Sequence, residues 1–366
     1  MKKLLCTVAV AALVAPVLLS AQSSATPAPS CTRYVAPVPR RPVADDGWCD
    51  PAPHRELGIT VAPNVKLHVL DFGGTGTPLV FLTGIGNNAH VFDDFAQRFT
   101  STHRVIAITR RGFGESSHPD GPYDQATLAA DNRAVLDSLG IRKAIFAGHS
   151  IGGYEITHFA ALYPDRVIGI IYLDAGSDQV AADSIRKLHT AELATLESLP
   201  HAPPAYQEMP TPLDSASAKA AWAYRQRTGL IDNTESAVRT SYFYEGFNPY
   251  RANNNPVPAK MEAAIRAGGR TPFAKVRAPA LFIWAERDSV QHQPADVQAW
   301  VGNDPVKRAA LEKQLSVTDA ILQQQHRYIL SELKGSRAVN IHGARHLIFL
   351  THPDRVERVM KEFMAP

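Results

Sequence analysis

The sequence predicts an α/β fold, a mostly parallel sheet flanked by helices, with an inserted helical cap. Three observations carry this expectation. Short apolar runs such as PLVFLTG (78–84) and RVIGIIYLDAG (166–176) have the continuous hydrophobicity of strands buried on both faces. Runs with helical spacing separate them, in the alternating order of a parallel sheet covered on both sides. A single long stretch, 177–275, breaks the alternation with amphipathic helical pieces and the Pro-rich HAPPAYQEMPTP.

The elements follow in order. Lys2 and Lys3, an apolar run and the small residues Leu19-Ser20-Ala21 form the pattern of a secretory signal peptide (1–21) cleaved near Ala21. That run contains Pro16 and is short for a spanning helix, and no later segment is apolar enough. A secreted or periplasmic protein with no stable membrane span is therefore expected. Residues 22–56 are rich in Pro, Ala and Ser and read as an extended arm. Cys6 leaves with the signal, and Cys31 and Cys49 are expected to form a disulfide in the oxidising compartment. With His54 nearby they do not make a ligand set of zinc spacing.

The core is expected over 57–176 and 276–366. Strands are read at 65–73, 78–84, 143–149, 166–176, 278–288 and 336–343, with 103–114 a strand running into a Gly-rich loop. Helices are read at 87–100 (Val91, Phe92, Phe95 and Phe99 on one face), 125–139, 151–163 and 353–364, and a long polar helical run at 305–334. The 366 residues carry a net charge of only +3, with no basic run or aromatic-interleaved basic patch, which argues against nucleic acid.

One stretch carries chemistry. Gly148-His149-Ser150-Ile151-Gly152 fits G-x-S-x-G, with a strand running in and a helix running out. A sharp turn there lifts Ser150 above the strand end, and the two glycines let the backbone close around it. Ser150 is thus read as a nucleophile. No G-x-G-x-x-G opens a helix after the first strand, and there is no Walker lysine or H-E-x-x-H. No cofactor or metal is expected.

AGHSIGG, RRGFGESS, AERDSV and GARHLIF together resemble the α/β-hydrolase superfamily, over roughly residues 60–176 and 278–364. The resemblance implies a triad in the order serine, acid, histidine. It places the acid in the turn after LFIWA, at Asp288, with Glu286 expected to be a solvated loop charge. Asp174, after the preceding strand, is the acid position in some family members. The base is placed at His346 in the loop after the last strand, rather than at His342 or His352. Oxyanion donors are implied at the backbone N–H groups of Ile85 and Ile151. The family commonly has His-Gly where this chain has Thr83-Gly84, which leaves open what supports that loop. Asn87 or Asn88 could also reach the site, although capping the helix that begins at 88 is the blander role, and Arg111 is read as one partner of an ion pair.

A serine at the elbow disfavours the aspartate-dependent dehalogenase and epoxide-hydrolase reactions of the fold. The resemblance implies hydrolysis of a small, hydrophobic carboxylic ester through an acyl-enzyme. Amidase, lactonase or C–C bond hydrolase activity with the same triad is the alternative, followed by a non-catalytic ligand-binding member. Trp222, Tyr224 and the aromatic run 242–250 could line an apolar pocket, although packing the cap is the blander role. Substrate identity and oligomeric state are not legible.

Overall fold

In the computed structural model, residues 53–201, 256–286, 289–293 and 295–365 are described. The signal-like segment, Cys31, Cys49, the aromatic residues between 222 and 250, and Asp288 all lie outside these residues.

Eight strands make one sheet: β1 (Arg55–Ala62), β2 (Val65–Gly73), β3 (Thr77–Leu82), β4 (His103–Ile108), β5 (Ala144–His149), β6 (Val167–Leu173), β7 (Ala280–Glu286) and β8 (Arg337–His342). Their spatial order is β1-β2-β4-β3-β5-β6-β7-β8. Strand β2 runs antiparallel to both its neighbours, and β4 through β8 pair in parallel. The central strands lack polar alternation because both faces are covered. Val80, Leu82 and Phe146 enter one buried cluster, while Leu79, Phe81 and Ala147 enter the other.

The described helices of seven residues or more, in chain order, are α1 (Gln125–Ser138), α2 (Ile151–Leu162), α3 (Gln179–Leu188), α4 (Thr190–Glu197), α5 (Val257–Ala267), α6 (Ala295–Val301), α7 (Pro305–Glu332) and α8 (Pro353–Met364). Three of them, α3 to α5, fall between β6 and β7. Asp124 caps α1 by accepting from the Thr127 N–H, and Asp304 caps α7 by accepting from those of Val306 and Lys307. Helix α7, inserted between β7 and β8, packs against α3 and α4. No described helix is long and apolar enough to cross a membrane.

The sequence reading needs two corrections. The expected arm to residue 56 overlaps β1, which already starts at Arg55, pairs along β2 and anchors on the buried Asp71. The single helix expected at 87–100 is broken into three successive turns, Ala89–Phe92, Asp93–Ala96 and Gln97–Phe99. Phe92, Phe95 and Phe99 all pack around Phe81, and burying them together takes precedence over regular helical hydrogen bonding.

Candidate active site

The turn from β5 into α2 places Ser150 at φ 53°, ψ −121°, a left-handed backbone for a non-glycine residue. Such a conformation costs on the order of 1–3 kcal/mol and persists only where its surroundings impose it. Here they do. The Ser150 N–H donates to the Leu173 carbonyl at 3.3 Å, and the Ser150 carbonyl accepts from the Gly153 N–H at 3.0 Å. A Cβ on Gly148 would lie 2.5 Å from the Gly152 backbone, and one on Gly152 would lie 2.5 Å from the Leu82 carbonyl oxygen. Both glycines of the pentapeptide are therefore required by close backbone approach.

The loop after β3 closes on this turn. A Cβ on Gly84 would meet His149 Nδ1 at 2.7 Å and Ser150 Cβ at 3.3 Å. Its support comes from the RRGFGESS loop: Arg110 Nη2 donates to the Thr83 carbonyl at 2.7 Å, and Arg110 is paired with Glu155 of α2. Arg110 thus fastens the loop after β3 to the helix that begins after Ser150. Ile85 and Ile151 lie together against Phe113 and Tyr123. Ile151 is the first residue of α2, where a helical N–H has no intrahelical acceptor. Of Asn87 and Asn88, it is Asn88 that caps, accepting from the His90 N–H at 3.0 Å, and Arg111 pairs with Asp131 through two contacts of 2.6 Å.

His346 lies after β8, and its Nδ1–H donates to Asp174 Oδ2 at 2.7 Å. The second oxygen of Asp174 accepts from the Ala285 N–H at 2.9 Å. Asp174 follows β6 directly and, like Ser150, has a positive φ, 46°. Its N–H donates to the Ile283 carbonyl at 2.8 Å, so the adjacent strand β7 fixes both its backbone and its carboxylate. The structure therefore brings Asp174 to the histidine, whereas Asp288 is outside the described residues. Glu286 is not a solvated loop charge: it ends β7, half-buried, and pairs with His342 Nδ1 at 3.2 Å. His352 precedes α8 as its capping residue.

His149, beside the serine, is buried and donates from Nε2 to the His346 carbonyl at 3.0 Å. Burial, then the nearby His346, holds its pKa well below the usual histidine range. It is a neutral prop beneath His346, a role that no spacing in the sequence announces.

Ser150, Asp174 and His346 open on one cavity of about 680 Å³. Its apolar wall includes Ile151, Ile265, Trp284 and Leu315, and α7 adds Gln314, Thr318 and Asp319. Trp284 stacks on His326 of α7 with ring centroids 3.6 Å apart and donates its indole N–H to the Ala175 carbonyl at 2.9 Å. Burial lowers the pKa of His326 to about 4. The long helix between β7 and β8 contributes more of the described wall than any other single element, a role beyond separating strands.

Residues 77–353 match the family model of the alpha/beta hydrolase fold. The chain belongs to the alpha/beta hydrolase fold family. Among curated relatives, it is 37% identical over 122 residues to a putative non-heme haloperoxidase of Mycobacterium phage D29, covering 33% of this chain and 44% of that one. It is 33% identical over 101 residues to a 2-(acetamidomethylene)succinate hydrolase of Mesorhizobium japonicum, covering 28% and 36% respectively. The chain thus spans less than half the length of these relatives. The crystal structure of an E-2-(acetamidomethylene)succinate hydrolase superposes with a TM-score of 0.58 at 18% identity, over 86% of this chain and all of that one, a likeness of fold. The chain is a member of a hydrolase superfamily with named hydrolase relatives.

Proposed function

We propose that this protein is a serine hydrolase that cleaves carboxylic esters through an acyl-enzyme, with Ser150 as nucleophile, His346 as base and Asp174 as the acid that orients it. The observation that carries the reading is the 2.7 Å hydrogen bond from His346 Nδ1 to Asp174, in the cavity that Ser150 also enters. Because Asp174 accepts from Nδ1–H, the Nε2 lone pair of His346 is left to take the Ser150 proton. Attack by Ser150 Oγ on the ester carbonyl gives a tetrahedral intermediate, whose oxyanion is taken by the backbone N–H groups of Ile85 and Ile151. His346 then protonates the leaving alcohol, and a water molecule activated by the same base releases the acid.

The apolar wall suits a hydrophobic acyl group, and Gln314, Thr318 and Asp319 give the leaving side hydrogen-bonding groups. The glutamine-bearing wall also favours a second reading, an amide or lactone substrate with the same triad. Secretion after cleavage near Ala21, with Cys31 and Cys49 joined, belongs to the same proposal, and intact mass under non-reducing conditions tests it. Purified protein and Ser150→Ala should be compared on p-nitrophenyl acetate, butyrate and longer esters, with a fluorophosphonate probe alongside. Turnover and labelling that vanish in the variant are expected. Absence of both in the parent protein would overturn the reading, and labelling with cleavage of anilides alone would move it to the amidase form.

A further inference from the structure

Away from the Ser150 cavity, four separate segments bring imidazoles and carboxylates to one place. His54 precedes β1, Glu56 lies on it, His68 is on β2, His90 is in the turn after β3, and Glu115 belongs to the RRGFGESS loop after β4. The Nε2 atoms of His54, His68 and His90 stand 3.6, 3.9 and 4.0 Å from the Glu56 carboxylate. The His90 ring is 5.3 Å from that of His54 and 5.5 Å from that of His68, centroid to centroid. Ligand atoms of His68, His90 and Glu115 also fall within 4.8 Å of one another.

We propose that these side chains form a binding site for a divalent cation of the zinc type, with His68, His90 and Glu115 as ligands, Glu56 as the neighbouring carboxylate that completes a tetrahedral shell, and His54 beside it. Zinc–nitrogen and zinc–oxygen bonds of about 2.0–2.1 Å put tetrahedral ligands about 3.4 Å apart. The separations to Glu56 exceed that by a few tenths of an ångström, within the reach of small side-chain rotations. Imidazole with carboxylate is a borderline donor set that suits zinc better than magnesium or calcium.

The supporting shell has the form such sites require. His90 donates from Nδ1 to the buried Asp93 at 3.1 Å, which leaves its Nε2 lone pair facing the cluster. His68 Nδ1 meets the Thr109 hydroxyl at 3.1 Å, and that oxygen has lone pairs for both this ring and the Ala89 N–H. His68 is 5% exposed, and its Nε2 has no hydrogen-bond partner. A buried ring nitrogen left in that state costs free energy, and a cation at the focus of the cluster removes the cost. None of these residues lines the Ser150 cavity. The ion would act as a structural staple between β1, β2 and the loops after β3 and β4.

The test uses the purified chain, stripped with a chelator, dialysed against zinc chloride and then against zinc-free buffer. Elemental analysis should find about one zinc per chain, and cobalt chloride should give the visible absorption of a low-coordinate nitrogen–oxygen site. His68→Ala and His90→Ala should lose both signals, while Ser150→Ala keeps them. Should the histidine variants fold poorly by circular dichroism, Glu56→Gln and Asp93→Asn serve in their place. Asp93→Asn should weaken zinc binding roughly 10–100-fold. A parent protein that retains no zinc and gives no cobalt spectrum would overturn the site, as would zinc retained unchanged in all these variants. Neither result bears on ester cleavage by Ser150.

Discussion

Ser150 and Asp174 are two non-glycine residues that the backbone holds at positive φ, and both belong to the proposed triad. The strain at Ser150 makes a prediction about stability rather than rate. Glycine ordinarily costs about 0.5–1 kcal/mol relative to alanine by loosening the unfolded chain, but at φ 53° it also relieves the clash at Cβ. Ser150→Gly should therefore be at least as stable as Ser150→Ala, compared by urea midpoints. A clearly less stable glycine variant would show that the elbow is not strained. Asp174→Asn should lower kcat roughly 10³–10⁴-fold, because the amide cannot hold His346 in the tautomer that frees Nε2. Asp288→Asn should stay within a few-fold of the parent, and the reverse pattern of rates would return the acid to Asp288. The sequence pointed to Asp288 because family likeness favours the turn after β7. What brings Asp174 to His346 is the lateral order of strands: β6 lies beside β7, so the Ala285 N–H holds the Asp174 carboxylate toward His346.

At the level of elements, the serine turn and the loop after β3 are clamped together rather than separately built. The G-x-S-x-G pattern was legible because both glycines are local requirements of the turn. Arg110 was not, since its partners Thr83 and Glu155 stand 27 and 45 residues away in sequence. Removing one member of a buried ion pair leaves the other uncompensated, so Glu155→Ala should cost about 3–5 kcal/mol in chemical denaturation. Replacing both Arg110 and Glu155 by apolar residues should recover much of that stability without recovering activity, because the Thr83 carbonyl loses its donor. Equal loss in the single and double variants would refute the clamp. The same non-locality hid the histidine–carboxylate cluster. Its members come from β1, β2 and two loops, and no spacing rule joins them.

Across the molecule, α7 reaches over the sheet edge to build the cavity wall and carries His326 onto Trp284. His326 has a folded pKa of about 4 against 6.5 for an ordinary histidine. Between those values the unfolded chain binds a proton that the folded one excludes. This contribution to stability is therefore fully present above about pH 6.5 and is lost as the pH falls toward 4. Urea midpoints at pH 7.5 and 5 should differ less in His326→Gln than in the parent, and an unchanged difference would remove His326 from the account. The cavity makes a second prediction. Leu315→Trp should fill part of its 680 Å³ and lower kcat/KM for longer acyl esters by about tenfold or more, with acetate hardly affected. Equal effects on all chain lengths would place Leu315 away from the acyl group.

All strands but β1, the burial of the central ones on both faces, the serine turn after β5 and the histidine after the last strand followed from the sequence, because each depends on residues close together along the chain. The pairing of Asp174 with His346, the Arg110 clamp, the wall from α7 and the histidine–carboxylate cluster were decided only when the sheet set its strands side by side. Each is a contact between residues far apart in the chain, and local patterns of hydrophobicity and turn chemistry hold no record of which distant strand ends become neighbours.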